Sequence, residues 1–207
     1  MDWVPFAVSG ILFGLVAGIS PGPMLALVVS ETLRRNRRAG ILVACAPLLT
    51  DAPIVIASVV VLSRLSQSNT VLGVISLLGA LFLVYLAYGS LVGSPAVPDG
   101  SEKETGSLLK GVLANFLNPN PYLFWGVVGG PTILKASATA LSAAVAFLIC
   151  FYICLVGSKV AMALVVDRSR AIISTGAYAL VIRGLGLALL AFAFLFFRDA
   201  LVFFDMY

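Results

Sequence analysis

Ser20-Pro21-Gly22-Pro23 and, 98 positions later, Asn118-Pro119-Asn120-Pro121 decide the fold of this chain. Each element lies inside a long apolar run and carries two prolines spaced by two. Proline lacks the backbone N–H and clashes with the preceding turn, so both runs are predicted to be helices opened part-way along. In hydrocarbon an opened backbone is tolerated only where it faces protein or a wet cavity. The freed carbonyls and amides then become ligands, and the half-helix that follows offers the partial positive charge of its N-terminus to a carboxylate.

The surroundings of the two elements are those of an integral membrane protein. Apolar residues make up 61% of the chain and charged ones 11%, with a mean hydropathy of +1.10, against about 45–50% and about 25% in soluble domains. Such a chain needs the lipid bilayer as its solvent. Helices of about 20 residues fill 207 residues with short loops to spare, so any function sits inside the bundle. The N-terminus opens Met1-Asp2-Trp3 without the basic stretch of a cleaved signal peptide, so the first helix is expected to be retained.

Six spans are expected. The first run, Trp3 to Ser30, is free of charge and as one helix would measure about 42 Å, more than the ~30 Å hydrocarbon core, so it must tilt or break. A second span runs from about Ala39 to Ser63 and a third from about Val71 to Gly93. The polar stretch 94–110 reads as a central loop. The fourth span covers about Gly111 to Leu134 and the fifth about Ala136 to Val166; Arg183 divides the last apolar stretch, so the sixth begins near either Ala171 or Gly184, with about Gly184 to Phe204 favoured after an interfacial or loosely embedded segment.

The broken elements open the first helix of each three-helix half. Three being odd, the halves enter the membrane from opposite sides: the chain is expected to be an all-α membrane protein of two inverted repeats, 1–93 and 111–207, joined by a cytoplasmic linker, 94–110. Nine Lys and Arg fall in loops on one side of this layout and three on the other, with Lys159 inside a span. The excess marks the cytoplasmic face, which puts both termini outside the cell membrane. The net charge of +4 is therefore a topology signal, not a nucleic-acid patch.

Other chemistries are narrowed by what is missing. The chain has no His, which excludes a His-dependent hydrolase or metal site. Cys45, Cys150 and Cys154 sit in apolar runs, none in a C-x-x-C pair and none near Pro21 or Pro119, which argues against a membrane thiol–disulfide carrier. No cofactor is implied, and the chain does not read as an enzyme. Gly10, Gly14, Gly18 and Gly22 form one smooth stripe that permits close backbone approach; packing within the bundle is the first reading, a homodimer contact the alternative.

Gly14-x-x-x-Gly18-x-Ser20-Pro21-Gly22-Pro23, an acid midway along the next helix, and Asn115-Phe116-Leu117-Asn118-Pro119-Asn120-Pro121-Tyr122 together resemble the lysine exporter (LysE/RhtB) family over the whole chain. The resemblance implies export of amino acids or related small solutes from the cytoplasm, in exchange for protons or another coupling cation. Homoserine- and threonine-type members read Asn-Pro-Lys where this chain has Asn118-Pro119-Asn120, and basic-substrate members carry an acid where it has Phe124. The latter difference weighs against a basic substrate.

The candidate substrate site is Ser20, Pro21, Gly22, Pro23, Asn115, Asn118, Pro119, Asn120 and Tyr122, and the candidate ion-coupling residues are Asp51 and Lys159. Asp51 falls near the bilayer centre, where a carboxylate costs at least about 2.5–3.5 kcal/mol. It reads as a proton carrier or cation ligand, with a helix-pairing bond as the bland alternative. The flanking Pro47 and Pro53 are expected to free nearby carbonyls. Lys159 either snorkels to the interface, partners Asp51 or clamps a substrate carboxylate. A metal or inorganic-ion exporter is the rival reading, disfavoured by a single buried acid without His.

Overall fold

Nine α-helices and one π turn make up the residues described by the computed structural model, 3–60, 69–91, 105–170 and 175–204. The helices are α1 (Val4–Ile19), α2 (Pro23–Arg34), α3 (Arg37–Val60), α4 (Asn69–Leu91), α5 (Thr105–Phe116), α6 (Pro119–Phe124), α7 (Gly130–Thr139), α8 (Leu141–Arg170) and α9 (Thr175–Phe203), with the π turn Trp125–Gly129 between α6 and α7. Three of them, α3, α8 and α9, are long and apolar enough to cross a membrane. The α1–α2 pair, bent by 61° at its break, counts as a fourth.

Both proline elements interrupt their helices. The Ser20 amide closes the last turn of α1 on the Val16 carbonyl at 2.9 Å; Gly22 is extended at φ −170° and ψ 175°, and Pro23 starts α2, where a missing N–H costs nothing. In the second half Asn118 is extended at φ −98° and ψ 121°, and its side chain accepts the Asn120 amide at 3.0 Å, capping α6, which opens on Pro119.

Elsewhere the boundaries differ from the sequence reading. The last helix is continuous from Thr175 and carries Arg183 on an exposed face, where a long stem lies along the helix; the expected start at Gly184 is wrong. The fourth begins at Thr105, ahead of Gly111, inside the segment assigned to the linker. Ala136 to Thr139 belong to α7, because the chain is extended at Ala140 and α8 starts afterwards. Helix α3 continues through Pro47 and Pro53.

Glycines set the closest packing. A Cβ on Gly10 or Gly14 would strike the carbonyl oxygen of Phe147 or Phe151, and one on Gly18 the Ser158 hydroxyl, so α1 lies backbone-to-backbone on α8. The stripe therefore packs inside the chain; Gly22 is not part of it, its nearest neighbour being the Ser20 carbonyl at 4.0 Å. Helix α4 pairs with α9, α1 with α8 and α5 with α3, while α2 packs on α3 as α7 does on α8. Exchanging the two halves leaves this set of pairings unchanged. Outer faces present Leu12, Val16, Leu187 and Phe194, as lipid requires.

Candidate functional site

Each break leaves carbonyls without their helical donors, and each set is met by a side chain. Pro21 removes the N–H that the Ala17 carbonyl would accept, and the extended Gly22 carries its amide away from Gly18. Lys159 Nζ, from the middle of α8, donates to both oxygens, at 3.1 and 3.4 Å. A cation at the negative end of α1 is also favoured by the helix dipole. Lys159 is only 4% exposed, so it does not snorkel. In the second half the Asn118 amide closes on the Asn115 carbonyl at 3.2 Å, and Tyr122 Oη donates to the Phe116 carbonyl at 3.0 Å.

Asp51 is the other charge at the break. It is 3% exposed, and its Oδ1 accepts from Asn115 Nδ2 at 2.8 Å. Its Oδ2 meets Trp125 Nε1 at 3.4 Å and Tyr152 Oη at 3.5 Å. Asn115 also donates to Thr50 Oγ1 at 2.6 Å, and that hydroxyl donates to the Ala46 carbonyl at 3.0 Å. Asp51 on α3 thus ties together α5 before the second break, the π turn after it, and α8. π turns recur at functional sites in helices. Here the Trp125 ring lies over Gly129, where a Cβ would strike it.

Beside these groups lies a partly open cavity of about 260 Å³. It is lined by Ser20, Pro21, Gly22, Pro23, Asn115, Asn118 and Asn120, with Asp51 and Lys159, so nine of the eleven residues singled out in the sequence meet there. No ion pair joins Asp51 to Lys159; the two charges face the cavity separately. Pro119 is fully buried and Tyr122 closes the break, and neither lines the space. The first turn of α2 has no side-chain cap and no acid, and Met24 and Leu25 of that turn line the cavity.

An aromatic wall bounds the other side. Phe124 and Phe151 stack at 5.2 Å, and Trp125 meets each edge-on at 5.1 Å. The sequence reading missed Thr50, Trp125, Phe151 and Tyr152. Trp125 carried a usable signal, since an indole N–H inside an apolar run must find an acceptor. The cysteines are free and partly buried, and none lines the cavity.

Residues 15–200 match the family model for the LysE type translocator. The chain belongs to the LysE type translocator family. Members are transporters, so the cavity of this translocator belongs to a membrane protein that moves a small molecule. Comparison with curated proteins and with solved structures returns no significant match for it.

Proposed function

We propose that this translocator exports amino acids or related small solutes across the cytoplasmic membrane by proton antiport. The observation that carries the reading is the single cavity in which both helix breaks meet one buried acid and one buried base. A zwitterion suits such a space. Its carboxylate is favoured at the uncapped start of α2, its ammonium by the Asp51 carboxylate, and its side chain by the aromatic wall. Six spans, with α4 and the α5–α7 chain as the third and fourth, form an inverted repeat; the exchange-invariant helix pairings and the matched breaks support it. The charge distribution puts both termini outside.

Asp51 is the coupling residue in this reading. Ionised, it accepts from Asn115 and Trp125 on opposite sides of the second break; protonated, it loses acceptor strength and becomes a donor. Proton binding therefore loosens the contact that spans the break, at the place where a substrate ammonium would compete for the same oxygens. The test is transport in proteoliposomes with an imposed pH gradient and a panel of amino acids. Asp51→Asn keeps the shape and an acceptor for Asn115 but cannot titrate. It should retain substrate exchange and lose gradient-driven accumulation. Wild-type accumulation by the variant, at equal reconstituted protein, would remove Asp51 from coupling; the absence of transport of every amino acid by the wild type would remove the substrate class.

A further inference from the structure

We propose, on the reading that the substrate is an amino acid, that Lys159 binds its carboxylate directly and so makes an α-carboxylate obligatory for the solutes this translocator carries. Lys159 lines the central cavity and is buried. Its Nζ donates to the Ala17 and Gly18 carbonyls at 3.1 and 3.4 Å. An ammonium has three donors and no acceptor, so one N–H is left once both carbonyls are met. Among the described residues no Asp or Glu forms an ion pair with it. Two neutral carbonyls and the negative end of the α1 dipole offset part of the cost of burying a cation, yet buried charges are ordinarily paired with an opposite charge. The missing anion is the substrate's.

Asp51, the one acid in the lining, is in the complementary state. Its partners are Asn115, Trp125 and Tyr152, none of them a cation. The cavity therefore holds one base and one acid, each without a counter-charge, and ionisable groups placed like this inside a membrane mark substrate pathways. A solute with an ammonium and a carboxylate on the same carbon completes both. A bare amine would satisfy Asp51 and leave Lys159 unmet. The start of α2 adds donors on the same side: Pro23 has no N–H and the Ala26 amide closes on the Gly22 carbonyl at 3.0 Å, which leaves the amides of Met24 and Leu25 in a turn without a side-chain cap, and both residues line the cavity with Lys159. Because the same Nζ holds the broken end of α1, a bound carboxylate is fixed in place relative to the first break.

The test compares each amino acid of the transport panel with its α-carboxamide, which keeps the ammonium and the side chain but removes the negative charge. Both are titrated against the purified protein, with binding followed by thermal stabilisation in detergent. The wild type should bind the acid about 100-fold more tightly than the amide, and Lys159→Gln, which keeps an N–H for the break but carries no charge, should cut that ratio to about tenfold, the remainder belonging to the α2 amides. A lysine that only caps α1 would weaken acid and amide alike, so an unchanged ratio in Lys159→Gln overturns the proposal. Equal binding of acid and amide by the wild type also overturns it, whatever the variant's folding, and leaves amino-acid export standing. Neither binding nor transport of any amino acid by the wild type would remove both.

Discussion

At the scale of the residue, Lys159 is a positioning group before it is anything else. It supplies the donor that Pro21 withholds from Ala17, and removing it takes that donor from the half-buried Ala17 carbonyl and the buried Gly18 carbonyl. Lys159→Met is therefore expected to destabilise the protein by about 1–3 kcal/mol, read as a lowered unfolding midpoint in detergent. A merely solvated lysine would show no such shift. Gly22 acts in the opposite way. Its backbone is extended, which any residue adopts, and an added Cβ meets nothing nearer than 4.0 Å, so Gly22→Val should cost less than about 1 kcal/mol as a helix-cap change. The new methyls enter the cavity, and uptake of the bulkier amino acids should fall more than that of alanine or glycine in a competition series. A uniform fall across sizes would mean that Gly22 does not set the cavity's width.

At the scale of the element, the breaks were legible because their chemistry is local: proline at a fixed offset dictates which amide is missing, whatever the rest of the chain does. What fills the gap was not legible. Lys159 lies 141 and 142 positions from its two acceptors, and only the packing of α1 on α8 brings them together. The same holds for Trp125 and Tyr152 around Asp51. The start of α9 was misread because Arg183 looks like an interfacial stop, yet a single exposed arginine costs a helix little when its stem lies along the surface. The glycine stripe was legible as a smooth face, but not its partner. Since Gly14 lies against a backbone carbonyl that cannot step aside, Gly14→Val should destabilise by about 1–3 kcal/mol through overpacking, measured by thermal unfolding. A change within a few tenths of a kcal/mol would mean that α1 does not seat on α8 this closely.

At the scale of the whole molecule, orientation rests on loop charge and has a direct test. A membrane-impermeant thiol reagent added to intact cells should leave Ser101→Cys unmodified and react with Gln67→Cys, each in a background lacking the native cysteines. Both positions lie outside the described residues, so the expectation comes from the sequence alone. Labelling at 101 would invert the orientation and, with it, the direction read for transport.

The 61° bend between α1 and α2 has a mechanical side. Helix α1 is seated on α8 by bare backbone, whereas α2 is a rod of 12 residues and about 18 Å, joined to α1 through the extended Gly22. A rotation of about 10° there swings the far tip by about 3 Å. Glu31 lies three residues short of that tip, and its bonds to Ser107 and Lys110 on α5 are 2.6 and 2.8 Å long. A tilt of that size would part Glu31 from α5, and because nine of the twelve residues of α2 are buried, it would carry the helix's neighbours with it.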